Sequence, residues 1–568
     1  MTRPAAVLDS AALPPSELVD AAERSGHHTM VARALVRNAL LLAFLGDALF
    51  RDSPPIGVAV PLWVAVLALT VVSLVWRAER NLSGEARAWL IAALLFSGGL
   101  TWRDADTLQA ANLLAVVASL AMVAVVLNQP SAALFAERLR DTASGVAGLT
   151  GRVIQGILPV VLGEAFPPQS RQRWRPTLRP AIRAVAIALP LLLVFGSLLV
   201  SADPIFASLV SLPAIDFGRV ASHIVVIGFF AWVVTGWGRR ALLDDPASVR
   251  PDSGRVPLTL DALDVTIALG TLNLLFFTFM LAQLGWLFGG EAFLRARTGL
   301  TVAVYARTGF YQLVWTALLV VPVLLLSRIA LRPGADTARR HTALALPLLA
   351  LVAAMMISAA SRLRLYVHYY GLTTERFYPL VFMGWLGIVL IWLALTVLRG
   401  WGRPFVAGAT ISGLMTLAML NLVNPEAIIA RVNLERGLAP EPRERAVDLV
   451  YLSGLSGDAV PLAARAVLAP SRGREGTPLH DSEDRGRCYA ARWLVAEWSP
   501  SGRRARLYER SSSWRRANVG ELAGLRAVAA LGPALREVQH TACAAEAAHR
   551  ARDAARHAAQ SAVGGVQR

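Results

Sequence analysis

Long apolar runs recur between residues 34 and 423 of this 568-residue chain, and they limit its fold more than any other feature. A bilayer has a hydrocarbon core about 30 Å thick, which a helix of about 20 apolar residues crosses. Backbone groups in lipid have no water to bond, and a helix satisfies them within each run. With 55% apolar residues, the sequence predicts an all-α fold: a polytopic helical membrane bundle.

Hydropathy indicates about 11 spans, with ends set to within about four residues. The spans are 34–50, 56–76, 87–101, 107–127, 181–201, 218–237, 263–288, 309–330, 342–360, 379–398 and 405–423. The run 87–101 is short and ends in a Gly pair, so it is either a span or a re-entrant segment. A re-entrant segment would leave an even number of spans instead of an odd one, and the C-terminus would then lie on the other side of the membrane.

The arginines of the loops are distributed unequally between the two sides of the bundle. If the polar tail 1–33 is cytoplasmic, the inner loops hold more arginine than the shorter outer links. Positive loops favour the cytoplasmic side, which predicts an inner (plasma) membrane protein with its N-terminus inside. An odd number of spans then places the C-terminus outside. The inner segment 128–180 is expected to lie along the cytoplasmic leaflet or to pack on the bundle.

The formal net charge of +17 would suggest nucleic acid as a partner in a soluble protein. The chain has no Lys, so its 56 basic residues are all Arg, which we interpret as a compositional bias. Many lie at helix ends, where they meet lipid headgroups. We therefore expect membrane lipids as partners, and no nucleic acid.

The character of the chain changes after Asn424, where Pro, Gly and Arg increase and the apolar groups become short and amphipathic. Residues 424–568 are predicted to form a small helical domain outside the cytoplasm. Its two cysteines, Cys488 and Cys543, lack the spacing of a zinc site. An extracytoplasmic position would permit a disulfide between them. No metal or cofactor is expected.

A short segment, 361–379, concentrates arginine and tyrosine between two apolar runs. Charge so close to lipid is costly and often functional. Guanidinium groups bind phosphate with two donors and stack on aromatic rings, which suits an anionic headgroup. The alternative is structural, because Tyr and Arg also belong to interfacial belts, and charged links can pair with one another.

Several motifs resemble a bacterial family of multi-pass membrane proteins, domain of unknown function 4153, whose sister family is 4173. They are GDALF at 46–50, YARTGFYQLV at 305–314, RLRLYVHYYGLTTERFYPL at 362–380 and NPEAIIARVNLERG at 424–437. The resemblance covers residues from about 40 to 530. It implies topology and a shared set of outer-face polar residues, and no activity. The matching candidate binding residues are Tyr305, Arg307, Arg362, Tyr366, Tyr370, Thr373, Arg376, Asn424, Asn433 and Arg436.

Three functions fit these patterns. The sequence favours transport or lipid/anion handling, with an anionic lipid or phosphate-bearing ligand held in an outer vestibule by arginine and tyrosine. The second is an envelope scaffold or sensor that recruits a protein partner through 424–568. The third and least favoured is an envelope transferase using Asp203, Asp216 or Glu291. No soluble-type catalytic motif is present, which favours a protein that is not an enzyme.

Overall fold

The computed structural model describes part of the chain, and every structural statement below concerns that part. The described residues are 15–51, 57–128, 160, 217–243, 262–298, 310–331, 334–400, 403–438, 447–470, 478–510 and 514–565. The span predicted at 181–201 and nearly all of the interfacial segment 128–180 lie outside them. So do Tyr305, Arg307, Asp203 and Asp216.

Five helices form the first half of the bundle. They are α1 (Pro15–Phe50), α2 (Ala59–Arg77), α3 (Gly84–Trp102), α4 (Asp106–Asn128) and α5 (Phe217–Leu242). Ser83 begins α3, because its side chain accepts a hydrogen bond from the N–H of Ala86 at 3.1 Å. Apolar side chains from all five helices pack into one core that includes Leu42, Leu74 and Val123.

Five more helices form the second half of the bundle. They are α6 (Ala262–Thr298), α7 (Phe310–Ile329), α8 (Ala335–Tyr370), α9 (Thr374–Leu395) and α10 (Arg403–Val423). Their core includes Leu324, Met355 and Leu386. Asn112 and Asn421 connect the two halves, because each side-chain amide donates to the other at 2.9 Å. This is the interhelical bonding expected of a polar side chain within a span.

The C-terminal domain consists of shorter helices and one long one. They are α11 (Pro425–Leu438), α12 (Leu449–Ser453), α13 (Val460–Leu468), α14 (Pro478–Trp498), α15 (Arg503–Arg510) and α16 (Val519–Gly565). Trp498, Leu494 and Val528 lie in its core. A disulfide between Cys488 and Cys543, whose Cα atoms are 4.8 Å apart, joins α14 to α16.

The C-terminal domain contacts one end of the bundle, which we call the domain end. The N–H of Ala59, at the start of α2, donates to the carbonyl of Arg515 at 3.0 Å. Asn518 donates to the carbonyls of Leu100 and Arg103 at 3.0 and 2.8 Å. The end of α3 and the start of α2 are therefore held against the domain by hydrogen bonds to their backbone groups.

Other contacts define the opposite end of the bundle. The Nη1 of Arg80 donates to the carbonyls of Leu127 and Ala241 at 3.4 and 3.3 Å. The hydroxyl of Thr342 donates to the carbonyl of Leu398 at 3.2 Å. Because α4, α5 and α9 all reach this end at their last turns, their first turns lie at the domain end.

Seven of the described helices are long and apolar enough to cross a membrane. They are Gly26–Phe50, Ala59–Arg77, Asp106–Asn128, Leu263–Leu281, Asp336–His368, Thr374–Leu395 and Pro404–Val423. The runs predicted at 87–101, 218–237 and 309–330 are helical but are not among these seven. The multi-pass membrane character is thus supported, while the count of 11 spans stays a prediction.

Large apolar side chains also cover the outside of the bundle. Leu69, Leu114, Leu274 and Ile357 are each more than 60% exposed. So many large exposed apolar side chains are unfavourable in water and suit contact with hydrocarbon.

Candidate functional site

The link between α8 and α9 is held by a side chain from the C-terminal domain. Gly371 ends α8 with φ +80°, a conformation that favours glycine. The amide of Asn433 then satisfies both backbone groups of Leu372: its Oδ1 accepts from the N–H at 2.8 Å, and its Nδ2 donates to the carbonyl at 2.6 Å. Asn433 therefore binds the link as a neighbouring strand would.

The arginine and tyrosine of the same segment contact one another. The guanidinium of Arg376 lies over the ring of Tyr366, 4.2 Å from its centroid. Its Nη1 donates to the carbonyls of Tyr370 at 3.1 Å and of Gly371. The rings of Tyr366 and Tyr370 are 4.8 Å apart. Arg376 thus stabilises the last turn of α8, where free carbonyls favour a cation.

The remaining candidate residues of this region have local structural contacts. Asn424 has φ +56° and caps α11, because its Oδ1 accepts from the N–H of Ala427 at 3.3 Å. The carbonyl of Thr373 accepts from the N–H of Phe377 at 2.8 Å in the first turn of α9. Arg362 is buried, with 7% of its surface exposed. Arg436 lies against Gly371. Of these four residues, Thr373 and Arg436 lie at the link that Asn433 holds, whereas Asn424 caps its own helix.

We expect Gly371→Ala to lower stability by about 1–3 kcal/mol, the cost of a strained backbone conformation for a residue with a side chain. A Cβ there would also lie 2.6 Å from Oδ1 of Asn433 and 2.8 Å from Nη1 of Arg436. Thermal unfolding in detergent measures the loss. Gly384→Ala in α9 is the control, because a Cβ there meets nothing within 4 Å. Equal melting temperatures for the two variants would contradict the role of Gly371.

A second polar cluster lies where the C-terminal domain meets the bundle. We call it the docking cluster, and it consists of Arg103, Asp104, Asp458, Glu497, Arg504 and Glu521. Asp104 and Glu521 are buried, with 7% and 1% of their surfaces exposed. Buried charges need partners, since removing an ion from water is costly.

Arg103 connects the link 103–105 to α10 and to the domain. Its Nε donates to the carbonyl of Asn421 at 2.7 Å, and its Nη2 to that of Leu422 at 3.2 Å. Its Nη1 lies 3.3 Å from Oδ1 of Asp458. The other oxygen of Asp458 accepts from the N–H of Asp104 at 2.7 Å. One arginine thus caps the end of α10 and binds the loop before α13.

Asp104 and Arg504 form the centre of the cluster. Oδ2 of Asp104 accepts from the N–H of Gly457 at 2.7 Å and lies 3.1 Å from Nη1 of Arg504. Arg504 also lies 3.3 Å from carboxylate oxygens of both Glu497 and Glu521. Its guanidinium therefore contacts three carboxylates from three separate parts of the chain. Two of them have a further cation nearby, because Arg503 pairs with Glu497 and Arg516 lies 3.9 Å from Glu521.

Burial changes the acidity of these carboxyl groups. It raises the pKa of Asp104 to about 7, against the opposing effects of the Arg504 charge and the hydrogen bond from Gly457. Burial also raises the pKa of Asp458 and of Glu426, whose Oε2 accepts from the N–H of Ser456 at 2.6 Å. All three shifts have desolvation as their largest cause.

The docking cluster was not among the predicted site residues. One signal for it was present, because Arg103 and Asp104 form a charged pair in a very short link between two apolar runs. Their partners lie more than 300 residues further along the chain, which no local pattern reveals. Among the described residues, no group of three or more His, Cys, Asp or Glu side chains is arranged to hold a metal ion.

The fold and these contacts define a multi-pass helical membrane protein with a C-terminal helical domain docked at one end. A family model described as Domain of unknown function (DUF4153) matches residues 90–466. The match covers more than half of the chain, and the protein belongs to this family, as the motifs predicted. It extends from α3 to α13 and includes Arg103, Asp104 and Asp458. No curated protein and no solved structure matches the chain.

Proposed function

We propose that this protein is a membrane-anchored scaffold, which holds its C-terminal helical domain in one orientation and recruits an envelope protein through it. The docking cluster carries this proposal. Its carboxylates and arginines are buried between the domain and the bundle, where ion pairs add less stability than apolar contacts of similar size would. Ion pairs require one geometry, so they suit an interface whose orientation matters.

The contacts of the 361–379 segment also support a scaffold. Arg376 and Asn433 hold the link 371–373, and the N–H of Thr374 donates to the hydroxyl of Tyr451 in the domain at 2.9 Å. This makes the segment a second attachment point for the domain. No described contact supports the transferase alternative.

We place the domain on the extracytoplasmic side. The disulfide between Cys488 and Cys543 supports this side, because such bonds persist in oxidising compartments. Arginine in the links at the opposite end supports it too, since positive loops favour the cytoplasm. Those arginines are Arg77, Arg80, Arg87, Arg239, Arg328, Arg339, Arg340, Arg399 and Arg403.

One face of α14 has the composition of a protein-binding surface. Tyr489 and Trp493 lie four residues apart and are 41% and 51% exposed. Arg485 and Arg492 are exposed beside them. Tyr, Trp and Arg are enriched at the centres of protein interfaces. The fitting partner is a protein segment with acidic side chains around an apolar anchor.

Trp493→Ala is expected to weaken partner binding at least tenfold, because truncating a central aromatic residue removes a large share of binding energy. To measure partner binding in cells, Arg485 would be replaced by a photo-reactive amino acid. Binding is then read as the yield of one discrete cross-linked species. Trp514→Ala is the matched control, since Trp514 is 52% exposed and lies outside the α14 face. Equal yields in both variants, or no species with the unchanged chain, would refute the proposal.

A further inference from the structure

An apolar groove separates α8 from α9 within the membrane-spanning part of the bundle. Its volume is about 530 Å³, within the range of about 300–1,000 Å³ that is usual for small-molecule sites. Ala353 and Ala360 line it from α8, and Gly384 and Gly387 from α9. The groove exists because these four residues have small side chains or none.

The two glycines of the groove do not serve helix packing. A Cβ at Gly384 or Gly387 would meet nothing within 4 Å. At Gly413, in α10, a Cβ would instead touch the indole of Trp385 at 3.4 Å. Small residues in membrane helices normally allow a neighbouring helix to approach. At Gly384 and Gly387 no described neighbour uses that space.

The groove lies at the depth of the hydrocarbon core, which the acyl chains of lipids occupy. Ile357 and Ile391 line it and are 70% and 63% exposed, so it opens toward hydrocarbon. Along α8 its lining extends from Leu349 to Ala360, about 17 Å at 1.5 Å per residue. One leaflet of a bilayer has a hydrocarbon depth of about 15 Å. Along α9 the lining is longer, from Leu380 to Ala394, about 21 Å at the same rise. The groove therefore has room for the whole length of one acyl chain and reaches past the middle of the bilayer.

Positive charge lies just beyond the end of the groove nearest the domain. Arg364 follows Ala360 by four residues in α8, and Arg376 precedes Leu380 by four residues in α9. Residues at this spacing share a helix face, one turn apart. Arg364 is exposed. Arg376 donates to the carbonyls of Tyr370 and Gly371 through Nη1, and a guanidinium has five N–H donors.

We propose that the groove binds one acyl chain of an anionic glycerophospholipid, whose phosphate is held by Arg364 and Arg376. The chain fills the space above Gly384 and Gly387, and the headgroup lies one turn higher, at the level of the interface. Arginine binds phosphate oxygens with paired donors, which gives the site its preference for a negative headgroup. This lipid site shares Arg376 with the link 371–373 but requires no protein partner, so it can be tested apart from the scaffold function.

Native mass spectrometry of the full-length protein, released from nanodiscs of phosphatidylglycerol and phosphatidylcholine, tests the proposal. The unchanged chain should retain one phosphatidylglycerol. Gly384→Leu should reduce that occupancy at least tenfold, because the new side chain fills the groove. Leu favours the helix more than Gly does, so the variant should fold. Gly228→Leu is the matched control, since a Cβ at this exposed glycine of α5 also meets nothing within 4 Å.

The headgroup contact has its own variant. Arg364→Gln should lower the preference for phosphatidylglycerol over phosphatidylcholine about tenfold, while the lipid count stays at one. Arg431→Gln is the control: it removes an exposed arginine of α11 and should change neither the headgroup preference nor the lipid count. The proposal is overturned if Gly384→Leu and Gly228→Leu retain equal lipid, or if Arg364→Gln keeps the full preference. Melting temperatures of all variants exclude unfolding as the cause.

Discussion

Arg504→Ala is expected to release the C-terminal domain from the bundle, with a loss of about 3 kcal/mol in docking free energy. The change removes the ion pair that Asp104 of the bundle makes with the domain. Glu497 and Glu521 lose one cation each but keep Arg503 and Arg516 nearby. Removing one partner of a buried ion pair typically costs about 3–5 kcal/mol, because the remaining charge stays buried. We take the lower end of this range, since the Arg504 side chain is 25% exposed.

Hydrogen exchange of the first turns of α16 measures this release. Amides near Glu521 should lose protection about a hundredfold, which corresponds to roughly 3 kcal/mol. Arg506→Ala is the matched control, because Arg506 is exposed in the same helix. At pH 8, adding Asp104→Asn to Arg504→Ala should recover part of the protection, since it removes a carboxyl group whose charged form burial disfavours. Unchanged protection in Arg504→Ala would show that the docking cluster does not hold the domain.

Docking should also depend on pH: the domain should bind the bundle more tightly at pH 5 than at pH 8. In the docked state burial raises the pKa of Asp104 to about 7, while Arg504 and the N–H of Gly457 oppose the shift and Glu521 and Asp458 add to it. In an exposed link the same carboxyl has a pKa near 3.8. Docking therefore takes up a proton between about pH 4 and pH 7.

The sign follows from that uptake. The contribution of Asp104 is complete below about pH 4 and is lost as the pH rises through 7, by about tenfold in the docking constant per pH unit. Between pH 8 and pH 5 the constant should thus rise about a hundredfold. Asp458 and Glu426 have pKa values raised in the same direction, which steepens the dependence.

Spin labels at the exposed residues Thr107 and Arg526 would report the distance between bundle and domain in a urea titration. The urea concentration that releases the domain should be higher at pH 5 than at pH 8. Asp104→Asn should make the two values more similar, because it removes the main titrating group. A release midpoint that is equal at both pH values, or higher at pH 8, would contradict the assignment.

The helical membrane bundle was predictable because the bilayer imposes one length and one backbone solution on every span. The positions of α2, α4 and α9 could be read from their apolar runs. Their partners could not, since Asn112 and Asn421 are separated by 309 residues and meet only in the folded bundle. The run at 87–101 gave a weak signal for the same reason. Its helix, α3, is less apolar than the seven candidate spans, and its packing into the bundle depends on its neighbours.

The candidate site was predictable only in part, for a related reason. Arg376 and Tyr366 are close in sequence, so the concentration of Arg and Tyr in this segment was visible. The hydrogen bonds from Asn433 to the backbone of Leu372 join two of the motifs that carry the family resemblance. The sequence could not show whether Arg376 binds a backbone carbonyl or a phosphate group, because a guanidinium can do both. Arg504 gave no signal, since one arginine among 56 is distinguished only by the three carboxylates around it.

The long helix α16 gives the docking cluster a mechanical consequence. It begins beside Glu521, at the domain end of the bundle, and its 47 residues, with Pro533 among them, extend at most about 70 Å at 1.5 Å per residue. A rotation of about 5° at its base therefore displaces its far end by about 6 Å. Because the disulfide joins α16 to α14, the two helices would move together as a lever arm. A small rearrangement among the buried charges would then become a movement about as large as a helix turn.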